Sequence, residues 1–179
     1  MKTSKETKIK NYEKQLHDLV GKSIVAVDYY ELVYEEPLWD EDEYHSLDYG
    51  LEIITSDENR YYFIWGKEFE QFDVKFKKGD ILKEFVSEIS FNKYNVTNNV
   101  NWKVLIEKEI KDVKTIWSYS TYKGRKEKYY YPQEIILTFE NEKEVIISAL
   151  EIIDRDPLFM KDHISVFFDK KVFERLTEV

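Results

Sequence analysis

The sequence predicts an α+β protein made mainly of antiparallel β-sheet with short helices, in which two related helix-plus-sheet halves pack as one unit. Three observations support this fold class. Short segments rich in β-branched and aromatic residues recur along the chain, separated by turn-forming residues. The 179 residues are 42% hydrophobic and 16% aromatic, which is enough apolar material for a well-packed core. The chain also matches itself, which indicates a duplicated unit.

The internal match has two parts. Residues 16–24 align with residues 102–110 at an offset of 86, with apolar residues opposed at five positions. Residues 52–54 align with residues 134–136 at an offset of 82, which implies that only the intervening loop has changed length. We therefore predict a single domain with approximate internal twofold symmetry, whose first half is residues 9–91 and whose second half is residues 98–176.

The elements of the first half follow from local patterns. Apolar residues recur at helical spacing from Ile9 to Leu19 and Gly21 stands at a capping position, so a helix is predicted over residues 9–20. Val25, Val27 and Val33 alternate along one face of the strand that follows. Residues 35–46 are predicted to be a loop. Strands are predicted over residues 23–34, 49–55, 61–65, 72–77 and 85–91.

The second half repeats this order. Asn98 or Asn99 caps a short helix that runs to Ile106. A terminal helix is expected after Asp169. Loops are predicted over residues 123–128 and 154–162, and strands over residues 110–119, 134–139, 144–150 and 163–168. The predicted buried set of both halves is Leu16, Leu19, Ile24, Val27, Ile53, Phe63, Trp102, Leu105, Ile110, Val113, Ile135, Leu137, Ile147 and Phe167.

Negative charge is concentrated in one segment. The net charge is −9, and between Ser23 and Asn59 there are twelve Asp or Glu residues and no Lys or Arg. Such a segment attracts cationic surfaces and repels phosphate backbones. The candidate partner-binding residues are the carboxylates and aromatic side chains of its central part, Glu35, Glu36, Trp39, Asp40, Glu41, Asp42, Glu43, Tyr44 and Asp48.

Two interpretations of this acidic segment stay open. It is either a docking loop, whose carboxylates steer a basic partner and whose Trp39 is an anchor, or a solvated loop whose Trp39 folds back on the core. A metal site is not expected. Asp40, Asp42 and His45 begin like an EF-hand loop, but its sixth position is His45 rather than Gly and its twelfth is Leu51 rather than Glu.

No catalytic residues and no cofactor are predicted. Cysteine is absent, and the three histidines have no nucleophile motif near them. Residues 119–131 mix Lys and Tyr in a way that suits single-stranded nucleic acid, but the overall pI of about 5.0 argues against a nucleic-acid partner. The polar, Lys-rich start and the lack of long apolar runs predict a cytoplasmic protein with no membrane partner.

Three stretches, residues 96–106, 131–149 and 165–169, resemble parts of small acidic bacterial proteins, some of which are immunity proteins of polymorphic toxins. The resemblance covers about half of the chain and is carried by a helix entry and by strand pairing, so it transfers no catalytic residues. Glu107 departs from the pattern, since Gly is expected before Lys108 by analogy with Gly21.

We therefore expect a non-enzymatic binding protein. The resemblance implies an immunity-like inhibitor, which would neutralise a basic partner protein through an acidic surface bearing aromatic side chains. The alternatives are a small hydrolase or metal-dependent enzyme that uses the carboxylates of the acidic segment, and a structural subunit.

Overall fold

A computed structural model describes residues 4–33, 43–85, 90–123, 126–153 and 156–177. Within these residues the predicted fold class is confirmed, because the protein is mainly antiparallel sheet with three short helices. The helices are α1 (Ser4–His17), α2 (Val100–Lys103) and α3 (Lys170–Thr177), together with a 3-10 helix (Ile81–Glu84). The strands are β1 (Ile24–Leu32), β2 (Tyr44–Leu47), β3 (Gly50–Thr55), β4 (Arg60–Gly66), β5 (Asp73–Lys78), β6 (Phe91–Asn95), β7 (Ile110–Thr121), β8 (Lys128–Phe139), β9 (Glu144–Ser148), β10 (Leu150–Ile153), β11 (Asp156–Phe159) and β12 (Ile164–Phe167).

The strands form two five-stranded antiparallel sheets. The first sheet has the order β5-β4-β3-β1-β6 and the second has the order β2-β12-β9-β8-β7, while β10 and β11 pair separately. β1 begins with a register shift between Ile24 and Ala26, which explains why Ile24 and Val27 are both buried while Val25 is exposed. The shift therefore lets both Ile24 and Val27 reach the core.

The main core lies between the two sheets. It takes inward-facing residues from both, such as Phe63 and Phe76 of the first sheet and Ile135 and Leu137 of the second. Trp102 of α2 is fully buried in the same cluster. All fourteen predicted core residues are buried except Val113, which is half-buried against this cluster.

The outer faces of the sheets carry smaller apolar clusters. On the first sheet, Tyr30 and Tyr62 pack with Ile81 of the 3-10 helix. On the second sheet, Phe167 packs against Phe173 of α3 with ring centroids 5.1 Å apart. These coverings leave both β1 and β12 buried on their two sides.

The two sheets share a four-stranded order, since β1-β3-β4-β5 and β7-β8-β9-β12 follow the same path. The turns after β3 and β8 also match. Glu58 and Glu142 both have φ of 62°, and their N–H groups donate to the carbonyls of Thr55 and Phe139 at 2.8 and 2.9 Å. Glu58 and Glu142 are 84 positions apart. The structure therefore aligns this part of the two halves at an offset of 84 residues, two more than the predicted offset of 82.

The junction of the halves shows reciprocal hydrogen bonds. The N–H of Gly21 donates to Ile110 at 2.8 Å, and the N–H of Glu107 donates to Ile24 at 2.9 Å. Glu107 has φ of 62° and Gly21 has φ of 80°, so Glu107 adopts the left-handed conformation in which Gly is usual. Twofold symmetry of the whole chain stays a prediction, because β6 extends the first sheet whereas β2 extends the second.

Five predicted boundaries need correction. The short second helix, predicted to run to Ile106, ends at Lys103. The predicted loop over residues 35–46 ends in strand β2, which pairs with β12. Of the strand predicted over residues 85–91, residues 86–89 lie outside the described residues, and β6 starts at Phe91. The predicted connection over residues 154–162 contains β11, which pairs with β10. The first helix, predicted over residues 9–20, begins at Ser4 and ends at His17.

Candidate partner-binding site

From here the name acidic segment is used for its central part, residues 33–43. These residues connect the two sheets, because β1 of the first sheet ends at Leu32 and β2 of the second sheet begins at Tyr44. Of the predicted partner-binding residues, the structure describes Glu43, Tyr44 and Asp48. The others lie outside the described residues; they are Glu35, Glu36, Trp39, Asp40, Glu41 and Asp42. The structure therefore places the two ends of the segment.

Asp48 closes the base of the segment. It is only 7% exposed, and both of its carboxylate oxygens lie 2.9 Å from the N–H of Leu32, which donates to them. Its own N–H donates to the Glu31 carboxylate at 2.9 Å, and its carbonyl accepts the indole N–H of Trp65 at 2.9 Å. Asp48 thus holds the end of β1 beside the start of β3, and its charge is used within the protein.

Tyr44 and Glu43 hold the other end. The Tyr44 ring stacks on Phe167 at 5.0 Å with an interplanar angle of 18°. Glu43 is exposed and forms an ion pair with Arg175 of α3. Both members of that pair are more than half exposed, so water screens it and it contributes little to stability. Of the three described candidates, Glu43 is therefore the one that a partner can reach most easily.

His45 points into the core instead of towards a metal. It is 1% exposed, and its Nδ1 lies 2.7 Å from the Tyr29 hydroxyl, which also accepts the Trp102 indole N–H at 2.6 Å. Its Nε2 lies 3.3 Å from the Asn101 amide nitrogen. Burial lowers the pKa of His45 to about 4, so the ring is neutral at neutral pH.

Several other carboxylates of the acidic run are also used internally. Asp28 is buried and pairs with Lys93 at 2.8 Å. Glu52 is buried and accepts hydrogen bonds from Arg60 at 2.8 Å and from the N–H of Ile81 at 3.2 Å. Asp57 accepts from Thr55 and pairs with Lys22, and these hydrogen bonds lower the pKa of its carboxyl group.

The basic, tyrosine-rich hairpin formed by β7 and β8 also makes internal contacts. The Lys128 ammonium lies 3.7 Å from the centroid of the Tyr119 ring. Lys5 of α1 lies 4.7 Å from the Tyr130 centroid and donates a hydrogen bond to the Lys128 carbonyl at 2.7 Å. The Lys128–Tyr119 contact joins the two strands of the hairpin, and the Lys5 contacts hold the start of α1 against it.

Sequence reasoning missed the residues that anchor the acidic segment from outside it. Arg175 and Phe167 come from the end of the chain, and Leu32 supplies a backbone group that has no sequence signature. An aromatic Tyr44 directly before His45 was a signal for a strand, but its pairing partner lies more than a hundred residues away.

No three His, Asp or Glu side chains of the described residues are grouped so that they could hold a metal ion. None of the helices in that part of the chain is long and apolar enough to cross a membrane. Comparisons of the chain with protein-family models, curated proteins and solved structures gave no match.

Proposed function

We propose that this protein is a non-enzymatic binding protein of the immunity type, which neutralises a basic partner protein through its acidic segment. The observation that carries the proposal is that the carboxylates on both sides of the acidic segment are used inside the protein. Asp28, Glu31, Asp48 and Glu52 are all buried and bonded within the protein. The acidic run therefore has its remaining carboxylates mostly within residues 35–43.

The way in which the segment is held favours a docking role. Asp48 fixes one end to β1 because the Leu32 N–H donates to both of its carboxylate oxygens at 2.9 Å, and the Tyr44–Phe167 stack fixes the other end to the second sheet. A segment with fixed ends loses less conformational entropy on binding than a free tail does. It also presents its charge from a defined place on the protein.

The charge and the aromatic side chain would act on different steps of binding. Carboxylates at the rim of an interface speed association by long-range attraction and make it dependent on salt. A large aromatic side chain such as Trp39 slows dissociation when it is desolvated in the complex. The acidic segment combines both residue types within nine positions.

The test takes as its candidate partner the protein encoded by the neighbouring gene, which the proposal expects to be basic. Replacing Asp40, Glu41, Asp42 and Glu43 together by Ser should slow association with that protein and flatten its salt dependence, with little change in stability. The matched control removes four exposed carboxylates elsewhere and should leave association almost unchanged; these are Glu109, Glu127, Glu140 and Asp162.

A second variant tests the anchor. Trp39→Ala should weaken binding by about 2 kcal/mol, mainly through faster dissociation. The proposal fails if the neighbouring protein does not bind, or if both tetra-substituted proteins associate equally fast. It also fails if Trp39→Ala unfolds the free protein while the Ser replacements leave binding intact, because the segment would then be structural.

A further inference from the structure

A cavity of about 860 Å³ lies on the outer face of the first sheet, beside the loop that joins β4 to β5. This volume is within the range of small-molecule sites, which is roughly 300–1,000 Å³. Its lining combines three aromatic side chains, Tyr49, Trp65 and Phe72, with charged groups. The cavity is separate from the residues that carry the proposed partner-binding surface, although both use Asp48 as a support.

The aromatic walls are held in fixed orientations. The Trp65 indole N–H donates to the Asp48 carbonyl at 2.9 Å, so the ring cannot rotate without losing that bond. Tyr49 meets Trp65 edge-to-face at 6.1 Å, and Phe72 does so at 5.6 Å. Such preformed walls suit a flat ring that stacks or packs edge-on against them.

The loop that carries Phe72 is built around a buried carboxylate. Asp73 accepts backbone N–H groups from Glu68 at 3.3 Å and from Glu70 at 3.1 Å, as well as that of Phe69. The N–H of Phe72 donates to the Gly66 carbonyl at 2.6 Å. The loop is therefore rigid, and its shape is fixed from inside the fold.

Phe72 itself is in an unusual conformation. Its φ is 60°, in the left-handed region that bulky side chains rarely adopt. Backbone strain of this kind is concentrated at binding sites. Here the strained backbone places an aromatic ring against Trp65 at the wall of the cavity.

The charges of the cavity favour an anionic ligand. Lys75 pairs with Glu84, and Lys77 pairs with Glu68 at 3.1 Å. The lining also contains Lys67, which is exposed and takes part in none of the ion pairs of the described residues. Three ammonium groups against two carboxylates leave an excess of one positive charge at the cavity.

The geometry points to a binding site for a small planar aromatic anion, a ring that carries one carboxylate or phosphate group. The ring would pack against the cavity side of Trp65 and Phe72, which contact each other to form one wall, and the anionic group would lie near Lys67 and Lys75. Charge-assisted hydrogen bonds from ammonium groups hold either kind of anion. The fixed rings give the site its preference for flat ligands.

Two-dimensional NMR of the four indole N–H groups tests the site, with the Trp65 signal assigned from a Trp65→Phe variant. The probes are indole-3-acetate, adenosine 5′-monophosphate and the neutral indole-3-acetamide. We expect the Trp65 signal to shift saturably with at least one of the two anions, which identifies the carboxylate or the phosphate as preferred. The neutral amide should bind roughly tenfold more weakly.

Two variants and their controls sharpen the test. Phe72→Gly should weaken the anion roughly tenfold without loss of stability, because Gly accepts the left-handed backbone. Glu58→Gly makes the same backbone change outside the cavity, at φ of 62°, and should leave binding unchanged. Lys67→Gln should weaken the anion and flatten the salt dependence, whereas the exposed Lys103→Gln should do neither.

Three results would overturn this assignment. One is no shift of the Trp65 signal at about 5 mM of either anion. Another is equal affinity for indole-3-acetate and its neutral amide, and the third is unchanged binding by both Phe72→Gly and Lys67→Gln. None of these results bears on the basic partner protein, because the test uses the free protein and small probes.

Discussion

The buried imidazole of His45 makes the stability of the fold depend on pH in a way that can be measured. His45 lies between Tyr29 of β1 and Asn101 of α2, so it joins three elements at the centre of the protein. Burial lowers its pKa from 6.5 to about 4. Burial also raises the pKa of Tyr29, so this neighbour stays neutral throughout the acidic range.

The sign and size of the effect follow from proton linkage. In the unfolded chain the imidazole takes up a proton near pH 6.5, whereas in the folded protein it does so only near pH 4. Between these values the unfolded state binds a proton that the folded state does not, so stability falls as the pH falls. A pKa difference of about 2.5 units corresponds to a loss of about 3 kcal/mol.

The assay compares the wild-type protein with His45→Gln, which cannot titrate. The free energy of unfolding is measured by urea titration, with Trp fluorescence as the signal, at several values from about pH 7.5 to about pH 4. His45→Gln loses stability because it disturbs the buried contacts. That loss is independent of pH. The free energy of unfolding of the wild type should therefore fall by about 3 kcal/mol relative to that of His45→Gln on acidification.

Contributions from other titrating groups cancel in this difference. Glu134 is the main one, since burial raises its pKa to about 7 and it therefore acts in the opposite direction over the same range. Two parallel stability curves for the wild type and His45→Gln would refute the reasoning. They would mean that the imidazole becomes protonated as easily in the folded protein as in the unfolded chain.

Three further predictions concern other groups. Glu134→Gln should stabilise the protein by up to about 3 kcal/mol near pH 8, and the gain should vanish below about pH 4.5, because only the ionised carboxylate is disfavoured by burial; thermal unfolding across this range measures it. Asp48→Ala should cost about 2 kcal/mol in urea unfolding because it leaves the Leu32 N–H without its acceptor, whereas the exposed Glu43→Ala should change stability by less than about 0.5 kcal/mol. Chelator treatment should leave the melting temperature unchanged, since the sequence offers no cysteine and no complete EF-hand loop; a clear drop would reveal a structural metal.

Much of the fold could be predicted because it depends on local patterns. The helical spacing before Gly21, the β-branched strand after it and the hairpin turn at residues 56–59 each lie within a short window. The buried residues of the main core were predicted for the same reason, since alternation along a strand defines the buried face. Only Val113 is less buried than expected.

Two of the errors, at β2 and in the internal match, fall where pairing joins distant parts of the chain. β2 is a four-residue strand with a polar His45 and Ser46, and it is a strand because Leu47 and Ile164 pair at the free edge of β12. The internal match was also placed wrongly. Val27 pairs with Ile53 in the first sheet, and the equivalent Val113 pairs with Leu137 in the second, so Ile53 corresponds to Leu137 and not to Ile135. A shift of two residues keeps every side chain on the same face, so hydrophobic patterning cannot detect it.

The candidate site divides in the same way. The concentration of carboxylates around Trp39 was visible in the sequence, and so was the lack of basic residues from Ser23 to Asn59. The sequence did not reveal that Asp48 is buried at the base, that His45 lies in the core, or that Phe72 adopts a left-handed backbone. Each of these depends on neighbours supplied by other elements.

The sequence by itself determined the fold class, the residues of the main core and the location of the negative charge. These properties depend on the spacing of side chains along the chain and on its composition. The tertiary structure decided which strands extend each sheet, which carboxylates are buried and used, and where aromatic rings enclose a cavity. Those features depend on hydrogen bonds and packing between residues that are far apart in the chain, whose partners no local pattern specifies.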